Sequence, residues 1–181
     1  VCTSPECVRQ LKDITKDRVK GLAEHPQLVK IYDIQKRVRV EKLLYLGRIE
    51  HNKGVFILLN VFMSLKKAYP NLELTYAGSG RSENELRKAI ESAGLTGLHF
   101  LGKLDAEGVN KEIAATDLIV CPTMSGFNEG LALVGLEGAG HGIPTLLSSV
   151  VPAAELLGSG CKVFETDSLI RLEQALKELI S

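Results

Sequence analysis

The sequence predicts an α/β fold, a Rossmann-like, doubly wound parallel sheet with helices on both faces. Three observations predict it. Apolar runs of strand length alternate with segments of helical period from residue 42 to the end. The alternation amounts to six strand–helix steps in about 140 residues, the density of a complete doubly wound unit. With 181 residues and 45% hydrophobic content, the chain can bury one substantial core.

The first strand is expected over 43–47. The helix after it, 54–69, places Val55, Leu58, Leu59, Phe62 and Leu65 on one face and is stopped by Pro70. Residues 72–77 alternate as a strand does, and 82–92 is a charged surface helix opening with a Ser-x-x-Glu cap, Ser82 to Glu85. A strand at 98–101, a short helix at 106–115 and an apolar strand at 118–121 follow. Next come a glycine-rich helix at 131–141, a strand at 143–147, a helix at 152–157, a strand at 162–164 and a closing helix at 168–180. Residues 1–41 stand outside this rhythm. They suggest a short strand, a polar helix of mixed charge and a second strand at 28–32, the pattern of a connector arriving from a further domain, so the domain proper is 42–181. Opening at Val1 with neither methionine nor a signal-peptide pattern, the chain is expected to be a piece of something longer.

Lys+Arg and Asp+Glu are equal at 22 each, which leaves no electrostatic footprint for nucleic acid or a basic membrane patch. Any anion must be held by local groups. Cys2, Cys7, Cys121 and Cys161 lack metal-ligand spacing, and Cys121 lies in an apolar run, as expected of buried thiols in a reduced cytosolic chain. The longest apolar run, 55–65, is broken by Asn60 and is too short to span a bilayer.

Sheets of this kind bind ligands beyond the carboxyl ends of their strands. Neither glycine cluster is a dinucleotide fingerprint: AGSGRSE carries Glu83 where the third glycine belongs, and GAGHGIP precedes a strand instead of following one. No Walker loop occurs either. After the first strand, GRIEHNKG sets Arg48 at the strand end and Lys53 just before a helix, a pairing suited to phosphate. The segment FNEGLALVGLEGAGHGIP, 127–144, then puts Glu129 near a helix start and Glu137 about two turns along, roughly 12 Å away. The amides of Gly130, Leu131 and Ala132 lie between them.

Carboxylates for hydroxyls at both ends and amides for an anion in the middle suit a nucleotide sugar. Its diphosphate would rest on the amides with its charge shared by Arg48 and Lys53. Glu137 would accept from the ribose diol, and Glu129 would meet the sugar hydroxyls. Gly135, Gly138 and Gly140 each cost about 1 kcal/mol relative to alanine inside a helix, so the helix is expected to pack closely beneath the ligand. His51 and His99 show no partner in the sequence and are expected to be bystanders.

The motifs G-R-x4-K-G at 47–54, E-G-x6-E at 129–137 and G-I-P-T at 142–145 together resemble the donor-binding half of glycosyltransferase family 4, the retaining enzymes of GT-B fold. The resemblance runs from about residue 42 to the end, with 1–4 similar to the last strand of the acceptor-side domain. It implies a hexosyltransferase of polysaccharide biosynthesis, taking a UDP-, GDP- or similar sugar to a glycan or lipid-linked acceptor. It further implies catalytic roles for Arg48, Lys53 and Glu129. Nucleotide-sugar contacts are implied from Gly47, Arg48, Lys53, Leu104, Glu129, Gly130, Leu131, Ala132 and Glu137. No metal or other cofactor is implied, and no D-x-D occurs.

The implied location is cytoplasmic, free or peripheral at the cytoplasmic membrane face. The acceptor domain lies outside this sequence, so the fragment alone is expected to bind a donor and transfer nothing. Two other readings stay open, a GT-B-like sugar-nucleotide epimerase and a non-catalytic partner subunit. The latter draws support from SSVVPAAE at 148–155, which stands where the family has a glycine pair; Leu131-Ala132, which replace the family's Phe-Gly, blur the donor identity and allow a divergent member.

Overall fold

The computed structural model describes Tyr32 and residues 39–180. The short strand, the helix and all of the second strand expected over 28–32 but Tyr32, together with Cys2 and Cys7, lie outside the described residues. Among the described residues, six strands form one sheet: β1 (Lys42–Leu46), β2 (Glu73–Ala77), β3 (Leu98–Gly102), β4 (Leu118–Cys121), β5 (Thr145–Ser148) and β6 (Cys161–Phe164). All pairings are parallel and the order is β3-β2-β1-β4-β5-β6. The doubly wound architecture is therefore as expected. Strand order reverses between β1 and β4, which pair through Leu43 with Leu118 and Leu44 with Ile119, and a crevice opens where two neighbouring strands send their connections to opposite faces.

The helices are α1 (Val55–Lys66), α2 (Glu83–Ala93), α3 (Ala106–Ala115), α4 (Leu133–Gly140), α5 (Ala154–Leu157) and α6 (Leu169–Ile180). Side chains alternate across the pleat, so each strand feeds two cores. Leu43, Tyr45, Leu118, Val120 and Leu146 point to one face, where α1, α2 and α6 bury Phe62, Leu86 and Leu172. Leu44, Ile119, Cys121 and Leu147 point to the other, against Ile113 of α3 and Val134 and Leu136 of α4. The face expected of α1 is buried at every position, Val55, Leu58, Leu59, Phe62 and Leu65.

Two local expectations need correction. Ser82 does occupy the N-cap of α2, but its side chain makes no capping bond. Glu85 turns away to meet His51 Nε2 at 2.7 Å, so the capping box does not form. The glycine-rich helix begins at Leu133, not 131, because Ala132 sits in the left-handed region at φ 53° and Leu131 is buried in the second core. By contrast, Asp105 caps α3 by accepting from the Gly108 amide at 2.8 Å.

Candidate functional site

A cleft of about 450 Å³ lies at the β1/β4 switch point. Its first wall is the turn that leaves β1. Tyr45 donates its hydroxyl to the Arg48 carbonyl at 2.5 Å and so fixes the strand exit. Burial, with Cys121, Glu129 and Glu50 nearby and Arg48 opposing, raises the Tyr45 phenol well above its ordinary value and keeps it a donor. The Ile49 amide donates to the Ser79 carbonyl at 3.0 Å and the Ser82 amide donates to the Ile49 carbonyl at 3.0 Å. A Cβ on Gly78 would lie 1.8 Å from the Gly47 carbonyl oxygen, and one on Gly80 would lie 2.3 Å from that of Ile49. The glycines of AGSGRSE thus serve close contact between two loops.

A one-turn helix, His51–Lys53, then delivers Lys53, and Gly54 follows with φ 72°. Only glycine fits at that position, since a Cβ there would come 1.9 Å from the Pro122 carbonyl oxygen. The start of α1 is thereby set against the loop that leaves β4.

The β4 loop forms the second wall. Its Thr123 carbonyl accepts from Ser148 Oγ at 2.6 Å and Thr166 Oγ1 at 2.9 Å, while Thr123 Oγ1 donates to Glu129 Oε2 at 2.8 Å. The Lys53 ammonium donates to the same carboxylate oxygen. Both charged side chains are nearly buried, at 11% and 10% exposure, so each is the other's main replacement for water. Phe127 lies beneath the two cations, with Lys53 Nζ 4.1 Å and the Arg48 guanidinium 5.0 Å from its ring centre. Arg48 Nη1 also lies 3.8 Å from Glu50 Oε1. Cys121 forms part of the floor. Burial, reinforced by Glu129 and opposed by Lys53, pushes its thiol up to about 12, which leaves it a neutral, unreactive group.

The third wall is the first turns of α4, with Ala132, Leu133, Val134 and Glu137 facing the cleft. A helix start presents unpaired amides, and here those of the first turn belong to Leu133 and Val134. Glu137 is exposed to solvent, and partial loss of hydration raises its carboxyl above the ordinary value.

Of the residues singled out from the sequence, Gly47, Arg48, Lys53, Glu129, Ala132 and Glu137 line this cleft together. Gly130, Leu131 and Leu104 do not. Leu131 and Leu104 pack into the second core, and the first amides of the helix are those of Leu133 and Val134 instead of 130–132, because the left-handed Ala132 delays its start. His51 is not among the residues lining the cleft, and it has partners the sequence did not reveal: it pairs with Glu85 and stacks on Phe56 at 4.3 Å. His99 is exposed on β3 and lies away from the cleft. Tyr45, Thr123 and Phe127 were not anticipated. Thr123 carried one usable signal, a hydroxyl directly past a strand end. In the loop SSVVPAAE, Ser148 holds Thr123, the Thr166 amide donates to Ser149 Oγ at 3.2 Å, and Val151 and Ala153 are buried.

A sequence profile described as glycosyl transferases group 1 matches residues 30–181. Glycogen synthase of Mycobacterium tuberculosis is 31% identical over 120 residues, 66% of this chain and 28% of that protein. A GDP-mannose-dependent monoacylated alpha-(1-6)-phosphatidylinositol monomannoside mannosyltransferase of Corynebacterium glutamicum is 28% identical over 135 residues, 68% of this chain and 35% of that protein. The chain thus spans about a third or less of these curated relatives. In fold it is similar to the C-terminal domain of a glycosyl transferase group 1 family protein of Francisella tularensis. The TM-score is 0.67 at 20% identity, covering 79% of this chain and 77% of that one.

Proposed function

The chain belongs to the group 1 glycosyl transferases, and from that premise we propose that its 42–181 domain is the donor-binding half of a retaining, family 4 enzyme of GT-B fold. The donor is a UDP-, GDP- or similar hexosyl nucleotide and the acceptor a glycan or lipid-linked sugar, met by a further domain. One observation carries the reading: two cations, two carboxylates and a helix start share one cleft at the strand-order switch.

The diphosphate rests on the start of α4 at Leu133 and Val134, where unpaired amides and the helix dipole favour an anion. Arg48 and Lys53 close on it from the β1 side and stabilise the charge that grows as the sugar departs. Preorganised donors of this kind lower a barrier by about 3 kcal/mol each. Their charge serves the role a metal would otherwise fill, so no metal is invoked. Glu129 has one oxygen committed to Lys53 and Thr123, and its other oxygen is left to meet a sugar hydroxyl. Glu137, solvent-exposed where it lines the cleft, accepts from the ribose diol. The GDP-mannose dependence in the name of the corynebacterial relative supports this donor class, and its lipid-linked substrate supports a place at the cytoplasmic membrane face.

Calorimetric titration of the full chain with UDP and GDP tests the reading. Arg48→Ala and Lys53→Ala are each expected to weaken the preferred nucleotide at least tenfold, the size of one lost charge-assisted contact. Unchanged affinity in both variants removes the proposal.

A further inference from the structure

The β4 loop holds an aromatic ring that neither core uses. Phe127 belongs to neither hydrophobic cluster and is only partly buried, yet its ring lies under both Lys53 Nζ, at 4.1 Å, and the Arg48 guanidinium, at 5.0 Å. Both distances fall within the range, about 6 Å, at which a cation is drawn to a ring face. We propose that Phe127 is a positioning residue, whose ring holds the two cations side by side so that both act on one anionic group. This rests on the donor-site reading above and adds a residue to it.

The electrostatics require some such element. Two like charges brought together repel one another, and Lys53 is shielded from water, with 11% of its side chain exposed. Glu129 balances Lys53, whereas among the described residues the carboxylate near Arg48 is that of Glu50 at 3.8 Å, and the same carboxylate oxygen also lies 3.7 Å from Arg81. A π-face is negative without being a carboxylate, so it attracts both cations without accepting the hydrogens that Lys53 does not give to Glu129, and those stay available to phosphate oxygens.

The ring is also held in place. The Phe127 amide donates to the Met124 carbonyl at 3.1 Å, and the Met124 amide donates to the Asn52 carbonyl at 2.9 Å, one residue before Lys53. On the far side, the Ser125 amide donates to Asp167 Oδ1 at 3.1 Å and the Ser125 hydroxyl donates to Oδ2. The loop is therefore fastened both to the turn that carries the cations and to the segment after β6.

The test is calorimetry of the full chain with inorganic pyrophosphate and with UDP. Phe127→Leu keeps apolar bulk and removes the ring face, and it is expected to weaken pyrophosphate about tenfold. Phe127→Tyr keeps the ring and is expected to stay within about twofold of the unsubstituted chain. In an Arg48→Ala background the Phe127→Leu effect should shrink to about threefold or less, since the ring would act through the lost cation. Leucine matching phenylalanine, while Arg48→Ala loses affinity, overturns the role of the ring and leaves the donor site standing. No loss in any variant removes the donor site itself. Should Phe127→Leu and Phe127→Met both unfold while Phe127→Tyr folds, the ring is a packing element and the proposal falls.

Discussion

The two faces of the sheet are built from different materials. On the first, α1 and α6 stand on a layer of large side chains, among them Tyr45, Phe62, Tyr76, Phe164 and many leucines. On the second, α4 has no large side chain among its buried residues, which are Gly135, Gly138 and Gly140. Val134 and Leu136 of α4 are half-buried beside these glycines, and at Gly138 the helix comes so close to β4 that a Cβ would lie 2.4 Å from Ile119 Cδ1. The closeness of α4 is what brings its first turn and Glu137 to the cleft, opposite Arg48 and Lys53. Both faces carry apolar bulk, and the glycines of α4 serve the geometry of the site.

The largest effect that could break this comparison lies on the first face. Phe62 is fully buried in the middle of α1, and Phe62→Ala is expected to cost about 3–5 kcal/mol, from lost burial and the cavity left behind. Thermal unfolding would then begin about 10 °C lower or more. Nucleotide affinity, measured where the variant is still folded, should be unchanged. A loss of stability below about 1 kcal/mol would mean that this face is not where stability is concentrated.

Gly138→Ala makes the opposite test. An added Cβ would lie 2.4 Å from Ile119 Cδ1, and Ile119 is itself fully buried, so either the side chain or the helix must move. The expected stability cost is about 1–3 kcal/mol, smaller than that of Phe62→Ala. Nucleotide affinity should fall with it, because a lifted helix carries the Leu133 turn and Glu137 away from the cations. Adding Ile119→Val removes the clashing carbon, and the pair should bind better than Gly138→Ala alone. Failure of that rescue would show that the glycine answers to something other than contact with β4.

How much of this was legible beforehand depended on how local the cause was. The strands could be found because apolar runs buried on both faces leave a continuous signal, and α3 and β4 fall at the residues expected, Ala106–Ala115 and Leu118–Cys121. The start of α4 could not. Ala132 takes a left-handed conformation that glycine or asparagine would have advertised and alanine does not. Arg48, Lys53 and Glu129 could be picked out because they lie in the connections that leave strand ends, where ligands of such sheets bind, and Glu137 because it lies about two turns along the helix that follows. Their pairings were hidden: Lys53 meets Glu129 across 76 residues, and His51 meets Glu85 across 34. Phe127 had no signal at all, because only the path of its loop brings it beneath the cations.

The smallest effect is the most discriminating, since one substitution should move stability and binding in opposite directions. The Glu137 carboxyl has its pKa raised above the ordinary 4.5 by loss of hydration. A carboxyl that holds its proton more tightly when folded favours folding at low pH and loses that contribution as pH rises through the raised value. At pH 7 the ionised group therefore works slightly against the fold. Glu137→Gln should raise the unfolding midpoint by about 1 °C at pH 7, and the difference should close as the pH falls below 4.5. UDP or GDP affinity should drop about tenfold, because a neutral amide accepts more weakly from a ribose diol than a carboxylate does. Pyrophosphate, which has no ribose, should bind as before. A stabilised variant that keeps its nucleotide affinity would leave Glu137 a poorly hydrated surface charge. A variant that loses pyrophosphate as well would place the carboxylate at the diphosphate end of the cleft, and the assignment of the two glutamates to opposite ends of the ligand would have to be reversed.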